Sequence, residues 1–255
     1  MACCVRRDRT CVRPGVGVAV FVVTLGLATA PAAQQTPSSR AGAGQPVAAD
    51  ESESGDSCAN ELAARVQKHY DSVRDFAADF EQTTRPVGFA SALPGSARAT
   101  RGRMLLAKPA KMRWTYSDPE PSLVISDGTT LWLYSPALKE AQRLPVTQGY
   151  LSGAALQFLL GDGKLLEAFR VSASGCGRQP LVELELEPRE PASYERLGLT
   201  VVEETGEVVA TEILDLFGNR TRISFQNVEW NQDPSPEIFR FEPGPEIEVI
   251  ELGGS

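Results

Sequence analysis

The chain has 255 residues, of which 42% are hydrophobic and 23% are charged, and its formal net charge is −8. This composition is typical of a globular protein with an ordinary core, and the negative charge argues against nucleic acid as a partner. Residues 1–32 hold four Arg and one Asp, so without them the net charge falls from −8 to −11.

The N-terminus has the pattern of a secretory signal. Four arginines within residues 6–13 precede an apolar run over residues 16–28, and Ala30-Pro31-Ala32 is a small-x-small cleavage site. We therefore expect residues 1–32 to be a signal peptide that is cleaved on export. The apolar run is too short for a comfortable membrane span, and a retained anchor helix is the competing interpretation.

Residues 33–57 are rich in Ala, Gly, Pro, Ser and Gln and end in an acidic run. Such a stretch has too little apolar surface to offset the entropy lost on ordering, so we expect a disordered linker. The folded domain is then predicted to span residues 58–252.

This domain is predicted to begin with an amphipathic helix. Leu62, Val66, Tyr70 and Val73 recur at intervals of four, four and three, which places them on one helix face. From Phe76 onward the apolar residues alternate with other residues, as in a β-strand. The pattern therefore predicts a helix that leads directly into the first strand.

The stretch Gly102–Pro136 predicts four short strands separated by turns. Met112, Trp114 and Tyr116 alternate with Lys111, Arg113 and Thr115, so this strand has one apolar and one polar face. Asp127-Gly128 lies between two apolar runs and is a strong hairpin signal.

A cation is predicted at the rim of the apolar face. Lys108 follows the strand that contains Met104 and Leu106, and by alternation it points to their side. Its ammonium would need oxygen acceptors there, because an unpaired charge is costly to bury.

The second half of the chain predicts more strands. Residues 152–160 read as a short apolar helix, residues 164–169 add another helical turn, and alternation then returns between residues 182 and 250. The total is about ten or eleven antiparallel strands in sequence order, with two or three helical segments. Such a meander must curl into a barrel or half-barrel to bury its apolar face.

Sequence patterns for catalysis are absent. The chain has one histidine, His69, and lacks the G-x-S-x-G, phosphate-loop, dinucleotide-binding and H-E-x-x-H patterns. A hydrolase built on a Ser–His pair would have to recruit His69, which we interpret as a structural residue of the first helix. We expect no enzyme, no catalytic residue and no cofactor.

Two cysteines remain after removal of the signal peptide, Cys58 and Cys176. In an exported chain such a pair fits one disulfide, whereas a metal site would need further ligands that the sequence does not supply. Two unrelated thiols are the alternative. A bridge would tie the first helix to the loop before the strand at residue 182.

Four motifs in a fixed order carry a family resemblance over residues 60–250. They are Phe76-x-x-x-Phe80-x-Gln82, Gly102-x-x-x-x-x-Lys108-Pro109-x-x-x-Arg113-Trp114, Ser126-Asp127-Gly128-x-x-Leu131-Trp132-x-Tyr134-x-Pro136 and Phe239-x-Phe241-x-Pro243. In this order and spacing they resemble the LolA family, periplasmic carriers (chaperones) of outer-membrane lipoproteins. The fold class that this implies is mainly β with α: an unclosed antiparallel β half-barrel with lid helices over a hydrophobic cavity.

The resemblance also implies a function and partners. The carrier would act in the periplasm as a monomer, accept the acyl chains of lipoproteins from an inner-membrane ABC transporter of the Lol type, and pass them to an outer-membrane receptor. Lys108 stands where the family has a basic residue, usually Arg, that holds the lid helices in the lipid-free form. Met112 lies where the family docks on its transporter, although a strand Met is otherwise an ordinary core residue.

Alternation predicts the residues that line the cavity on the strands, and the lack of a polar face predicts those on the 152–160 helix. The expected lining residues are Leu106, Met112, Trp114, Tyr116, Leu123, Ile125, Leu156, Leu159 and Phe225.

Two alternatives to the carrier function remain at this point. One is a lipoprotein-sensing module of the RseB type, which shares the half-barrel but carries a second domain, or another lipid-binding module. The other is an exported β-protein with a merely packed interior.

Overall fold

A computed structural model describes residues 50–87, 98–146 and 163–252. It contains the helices α1 (Asp50–Asp71) and α2 (Leu165–Ala168) and a 3₁₀ turn (Pro236–Phe239). The strands are β1 (Asp75–Arg85), β2 (Arg98–Ala107), β3 (Lys111–Asp118), β4 (Ser122–Asp127), β5 (Thr130–Ser135), β6 (Glu140–Pro145), β7 (Phe169–Ser174), β8 (Leu181–Pro188), β9 (Tyr194–Val202), β10 (Val208–Asp215), β11 (Arg220–Trp230) and β12 (Glu248–Glu251). The predicted signal peptide, the predicted linker up to residue 49 and the predicted helix over residues 152–160 lie outside the described residues.

The strands form one open sheet in the order β12-β6-β5-β4-β3-β2-β1-β11-β10-β9-β8-β7. The prediction of a mainly β, unclosed sheet with few helices is confirmed. The expectation that all strands pair antiparallel in sequence order is wrong at two places: β11 pairs with β1, which joins the two halves, and β12 lies parallel to β6. The described residues contain twelve strands, rather than ten or eleven.

The two faces of the sheet differ. The face that we call the inner face carries one apolar cluster that runs from β2 and β3 through β1 and β11 to β8 and β9, and α1 packs against this cluster. Strict alternation in β8 produces this division, since Val182, Leu184 and Leu186 are buried while the glutamates between them are exposed.

Helix α1 covers part of the inner face. The predicted stripe is confirmed, because Leu62, Val66, Tyr70 and Val73 are all buried. The helix begins at Asp50, inside the stretch that the sequence predicts as a linker. Neither helix of the described ranges has the length and apolarity needed to cross a membrane.

A disulfide and a glycine fix the contact between α1 and the second half of the sheet. Cys58 and Cys176 are bonded, with Cα atoms 6.5 Å apart, within the normal range for a bridge. Gly206, in the β9–β10 turn at φ +78°, lies so close to α1 that a Cβ would stand 2.7 Å from the Arg65 carbonyl oxygen. A side chain at this position would therefore push the turn away from the helix.

Replacing both Cys58 and Cys176 by serine should lower the free energy of unfolding by about 4 to 5 kcal/mol, because the bridge joins residues 118 positions apart and restricts the unfolded chain. Urea unfolding followed by tryptophan fluorescence measures this loss. Reductant should lower the stability of the wild type to that of the double-serine variant and leave the variant unchanged. Equal stabilities of the two proteins without reductant would contradict the prediction.

Candidate functional site

The apolar surface of the inner face is the candidate site, and the strand registers define it. Four residues form a row across neighbouring strands: Met104 of β2, Trp114 of β3, Val124 of β4 and Leu133 of β5, each directly opposite the next. Residues directly opposite one another in an antiparallel pair share a face. Trp114, Val124 and Leu133 are only partly buried, so apolar surface remains on this half of the sheet beyond the packed core.

Aromatic rings form the middle of this surface. The ring of Phe80 contacts Trp114 and Tyr116, with centroids 5.5 and 5.1 Å apart. Burial raises the pKa of Tyr116 to about 12, so its hydroxyl stays protonated, and it donates to Gln82 Oε1 at 3.3 Å. The Trp114 Nε1 is buried and has no hydrogen-bond partner within the described residues. A buried donor of this kind favours a ligand that brings an acceptor.

Five of the predicted lining residues lie on the inner face. Leu106 and Met112 pair across β2 and β3 and are buried, while Trp114, Tyr116 and Phe225 are partly buried against the same cluster. Met112 is 4% exposed, so a docking partner could not reach it in this conformation, and this favours its interpretation as a core residue.

The prediction was wrong for Leu123 and Ile125. They pair with Thr115 and Arg113, which places both on the outer face. The alternation within β4 was right, but its phase was reversed, because the three-residue turn between β3 and β4 brings Ser122, not Leu123, opposite Tyr116. The predicted residues Leu156 and Leu159 lie outside the described ranges.

Leu123 and Ile125 have a partner on the outer face. On the neighbouring strand β5, they lie opposite Tyr134 and Trp132. The ring centroids of Tyr134 and Trp132 are 5.1 and 5.4 Å from that of Phe241. The C-terminal segment therefore covers a second, small apolar cluster outside the sheet. This contact explains the Phe239-x-Phe241-x-Pro243 motif as an anchor for the tail. The sequence-based prediction did not include the inward residues Val124 and Leu133. Had Phe241 been predicted to pack on the outer face, Leu123 and Ile125 would have been assigned to that face as well.

The C-terminal end of α1 is held by Lys108. Its Nζ donates to the carbonyl oxygen of Tyr70 at 2.6 Å, and its backbone N–H donates to Arg74 O at 2.8 Å. A cation at the end of a helix also interacts favourably with the helix dipole. The structure thus places the Lys108 ammonium on the helix that covers the inner face.

Further contacts fasten the same helix to the strands and to α2. The Tyr70 hydroxyl accepts from the Val208 backbone N–H at 3.4 Å, and Gln67 Oε1 accepts from the Leu165 backbone N–H at 2.9 Å. Burial strongly raises the pKa of Tyr70, which keeps this hydroxyl neutral. All these contacts are hydrogen bonds, in contrast to the covalent bridge nearer the start of α1.

Comparison with known proteins gives the family. A family profile described as outer membrane lipoprotein carrier protein LolA matches residues 71–242, more than half of the chain. The chain belongs to the LolA family. An outer-membrane lipoprotein carrier protein of Alkalilimnicola ehrlichii is 30% identical over 194 residues, which cover 75% of this chain and 84% of the relative.

Two further proteins are similar to this LolA-family chain. The outer-membrane lipoprotein carrier protein of Chromobacterium violaceum is 28% identical over 191 residues, 73% of this chain and 86% of the relative. Among solved structures, a LolA superfamily protein of Nitrosomonas europaea aligns over 72% of this chain and 97% of its own, with 11% identity and a TM-score of 0.41.

The histidine of this LolA-family chain is built into the α1–β11 contact. The ring of His69 lies edge-on to Tyr70 and Trp230, each with centroids 5.1 Å apart. Burial lowers the pKa of His69, although nearby Glu207 opposes this, so the neutral imidazole is favoured. The Ser72 hydroxyl donates to the backbone carbonyl of His69 rather than to its ring, and no Ser–His pair forms at this point.

One group in the described part of the chain has the residue types of a metal site. Ligand atoms of Cys58, Cys176 and Glu203 lie within 4.8 Å of one another. Both sulfurs are bound in the disulfide, and the Glu203 carboxylate accepts from the Gly177 backbone N–H at 2.9 Å. Cysteine binds a metal ion as its thiolate, so the oxidised pair does not offer this site.

Substituting Lys108 by methionine should lower the free energy of unfolding by about 1 to 3 kcal/mol, because a charge-assisted hydrogen bond to the Tyr70 carbonyl is lost. Amides in the last turn of α1 should also exchange with solvent faster. Thermal unfolding and hydrogen exchange measure the two effects.

The matched control is Lys68→Met, a lysine on the exposed side of the same helix, for which we expect a change within about 0.5 kcal/mol. If the two variants lost the same free energy of unfolding, the prediction would be contradicted, because the bond from Lys108 to the Tyr70 carbonyl would then contribute no net stability.

Proposed function

We propose that this LolA-family chain is a periplasmic carrier that holds the acyl chains of lipoproteins on its inner face and delivers them to the outer membrane. The observation that carries the proposal is the partly buried apolar surface of β3, β4, β5 and β11, which continues the packed core under α1. The names of the curated relatives support a carrier in preference to an RseB-type sensor.

The proposed cargo fits the chemistry of this surface. An acyl chain of about sixteen carbons gains about 12 kcal/mol when fully buried, at about 0.8 kcal/mol per methylene. Two or three such chains, fully buried, would exceed the practical limit of non-covalent affinity. A carrier must release its cargo, so partial burial, or competition with α1 for the same surface, suits the function better than a closed pocket. The Trp114 N–H would be a donor for the ester or amide oxygen near the head of a chain.

The proposed cycle assigns Lys108 to the lid. In the lipid-free state its bond to the Tyr70 carbonyl would hold α1 against the sheet. Cargo would displace α1 and break this bond, and its re-formation would favour release. Lysine lacks the planar fork of the arginine that is usual in the family, but a single carbonyl acceptor needs only one donor. We also propose, as partners, an inner-membrane ABC transporter of the Lol type and an outer-membrane receptor.

Quenching of a single tryptophan tests where the acyl chain binds. We expect a lipopeptide with a spin label in its acyl chain to quench Trp114 strongly in a Trp132→Phe/Trp230→Phe variant. Trp132, on the outer face beside Phe241 and Arg143, should be unaffected in the matched Trp114→Phe/Trp230→Phe variant. Equal quenching of both residues, or binding with no quenching of Trp114, would argue against the inner face as the site.

A transfer assay tests the role of Lys108. Carrier loaded with lipoprotein is mixed with receptor, and the lipoprotein that remains on the carrier is measured over time. Lys108→Leu should still load but retain its cargo, because the closed state has lost a stabilising contact. Lys108→Arg should release as the wild type does. Release from Lys108→Leu at the wild-type rate would assign Lys108 a purely structural role.

A further inference from the structure

The turn between β10 and β11 exposes apolar side chains at one end of the sheet. Leu216 is 59% exposed and Phe217 is 68% exposed. Val87, which follows β1, is 49% exposed and lies beside the same turn, because its N–H donates to Asn219 Oδ1 at 3.2 Å. We call Leu216, Phe217 and Val87 the apolar tip.

The polar groups of this turn are bonded within the turn itself. Asp215 Oδ1 accepts from the backbone N–H groups of Phe217 and Asn219 at 2.9 and 2.8 Å, and Asp215 Oδ2 accepts from Asn219 Nδ2 at 2.8 Å. The Gly218 N–H donates to Asp215 O at 2.9 Å. Because these donors already have acceptors, moving the turn out of water loses few hydrogen bonds.

The strands next to the tip carry positive charge in a chain that is acidic overall. Arg85 and Arg220 pair directly across β1 and β11, and Arg222 lies opposite Thr83 two residues further along. Glu212 forms an ion pair with Arg220 and Glu81 forms one with Arg101, each at 2.8 Å, and the Asp215 carboxylate is buried in the turn. Among the described residues, Arg85 and Arg222 form no ion pair, so no paired carboxylate neutralises their charges. The chain as a whole has a net charge of −8.

We infer that the apolar tip is a membrane-contact site that inserts Leu216 and Phe217 into the interface of a bilayer containing anionic phospholipids. Three side chains fall far short of the area of about 1,600 Å² that a standard protein–protein interface buries. Apolar and aromatic side chains beside arginines are instead the combination that binds the headgroup region of anionic membranes. β11 carries Arg220 and Arg222 on its outer face and Ile223 and Phe225 on its inner face, so one strand links the proposed membrane contact to the inner face.

Vesicle flotation with the unloaded full chain tests the inference without any lipoprotein. The wild type should float with vesicles of phosphatidylethanolamine and phosphatidylglycerol and bind vesicles of phosphatidylcholine more weakly. Leu216→Ser/Phe217→Ser should lower the partition coefficient by about tenfold or more, since two apolar side chains leave the interface. Arg85→Gln/Arg220→Gln should lower it about fivefold to tenfold on the anionic vesicles only.

The matched control is Leu138→Ser, in the β5–β6 turn, where Leu138 is 66% exposed. This variant should bind vesicles as the wild type does, and unfolding curves should show that all variants are folded. A Phe217→Trp variant gives an independent readout, because its fluorescence should shift to the blue with anionic vesicles and be quenched by brominated acyl chains.

Three results would overturn the inference: no flotation of the wild type with either vesicle, an equal loss of binding in Leu138→Ser, or no spectral change in Phe217→Trp. A dimer of the wild type that disappears in Leu216→Ser/Phe217→Ser would assign the tip to self-association instead. Because the assay contains no cargo, its failure would leave the proposed binding of acyl chains to the inner face untouched.

Discussion

The apolar inner face of the sheet is stable only because α1 buries part of it. An open sheet cannot cover its own apolar face, and here the sheet ends at β7 on one side and at β12 on the other. The stripe of Leu62, Val66 and Tyr70 supplies the cover on one part of that face. The surface around Trp114 and Leu133 is only partly buried, and this difference between the two halves creates the candidate site.

The attachment of α1 is asymmetric. Near its start the helix is bound covalently through Cys58, while its end depends on hydrogen bonds of Lys108 and of the Tyr70 hydroxyl. Hydrogen bonds exchange with water or a ligand at a modest net cost, whereas a disulfide persists in an oxidising compartment. The end at Tyr70 is therefore the one that a ligand could displace reversibly, and the ring contacts of His69 and Tyr70 with Trp230 would change together with it.

Much of this architecture followed from local patterns. Alternation identified the inner residues of β3, and the period of the first helix identified its buried stripe. The choice of which β4 residues face inward could not be predicted in the same way. Leu123 and Ile125 are more apolar than Ser122 and Ser126, so they were assigned to the inner face. The sequence gives no sign that a second apolar cluster lies on the outer face of the sheet. That cluster depends on Phe241, more than a hundred residues away. The interaction of Lys108 with a helix was predicted, but the identity of its acceptor, the Tyr70 carbonyl at the end of α1, was not, since only the tertiary structure brings that carbonyl within reach.

Photo-crosslinking from two adjacent positions shows whether lipoproteins occupy the inner face in the cell. Phe225 faces inward against Phe76, and its neighbour Gln226 is exposed on the outer face opposite Asp79. A benzophenone amino acid at position 225 should give crosslinks to lipoproteins in living cells, while the same group at position 226 should not. Equal crosslinks from both positions, or lipoprotein crosslinks from position 226 alone, would rule out the inner face as the binding site.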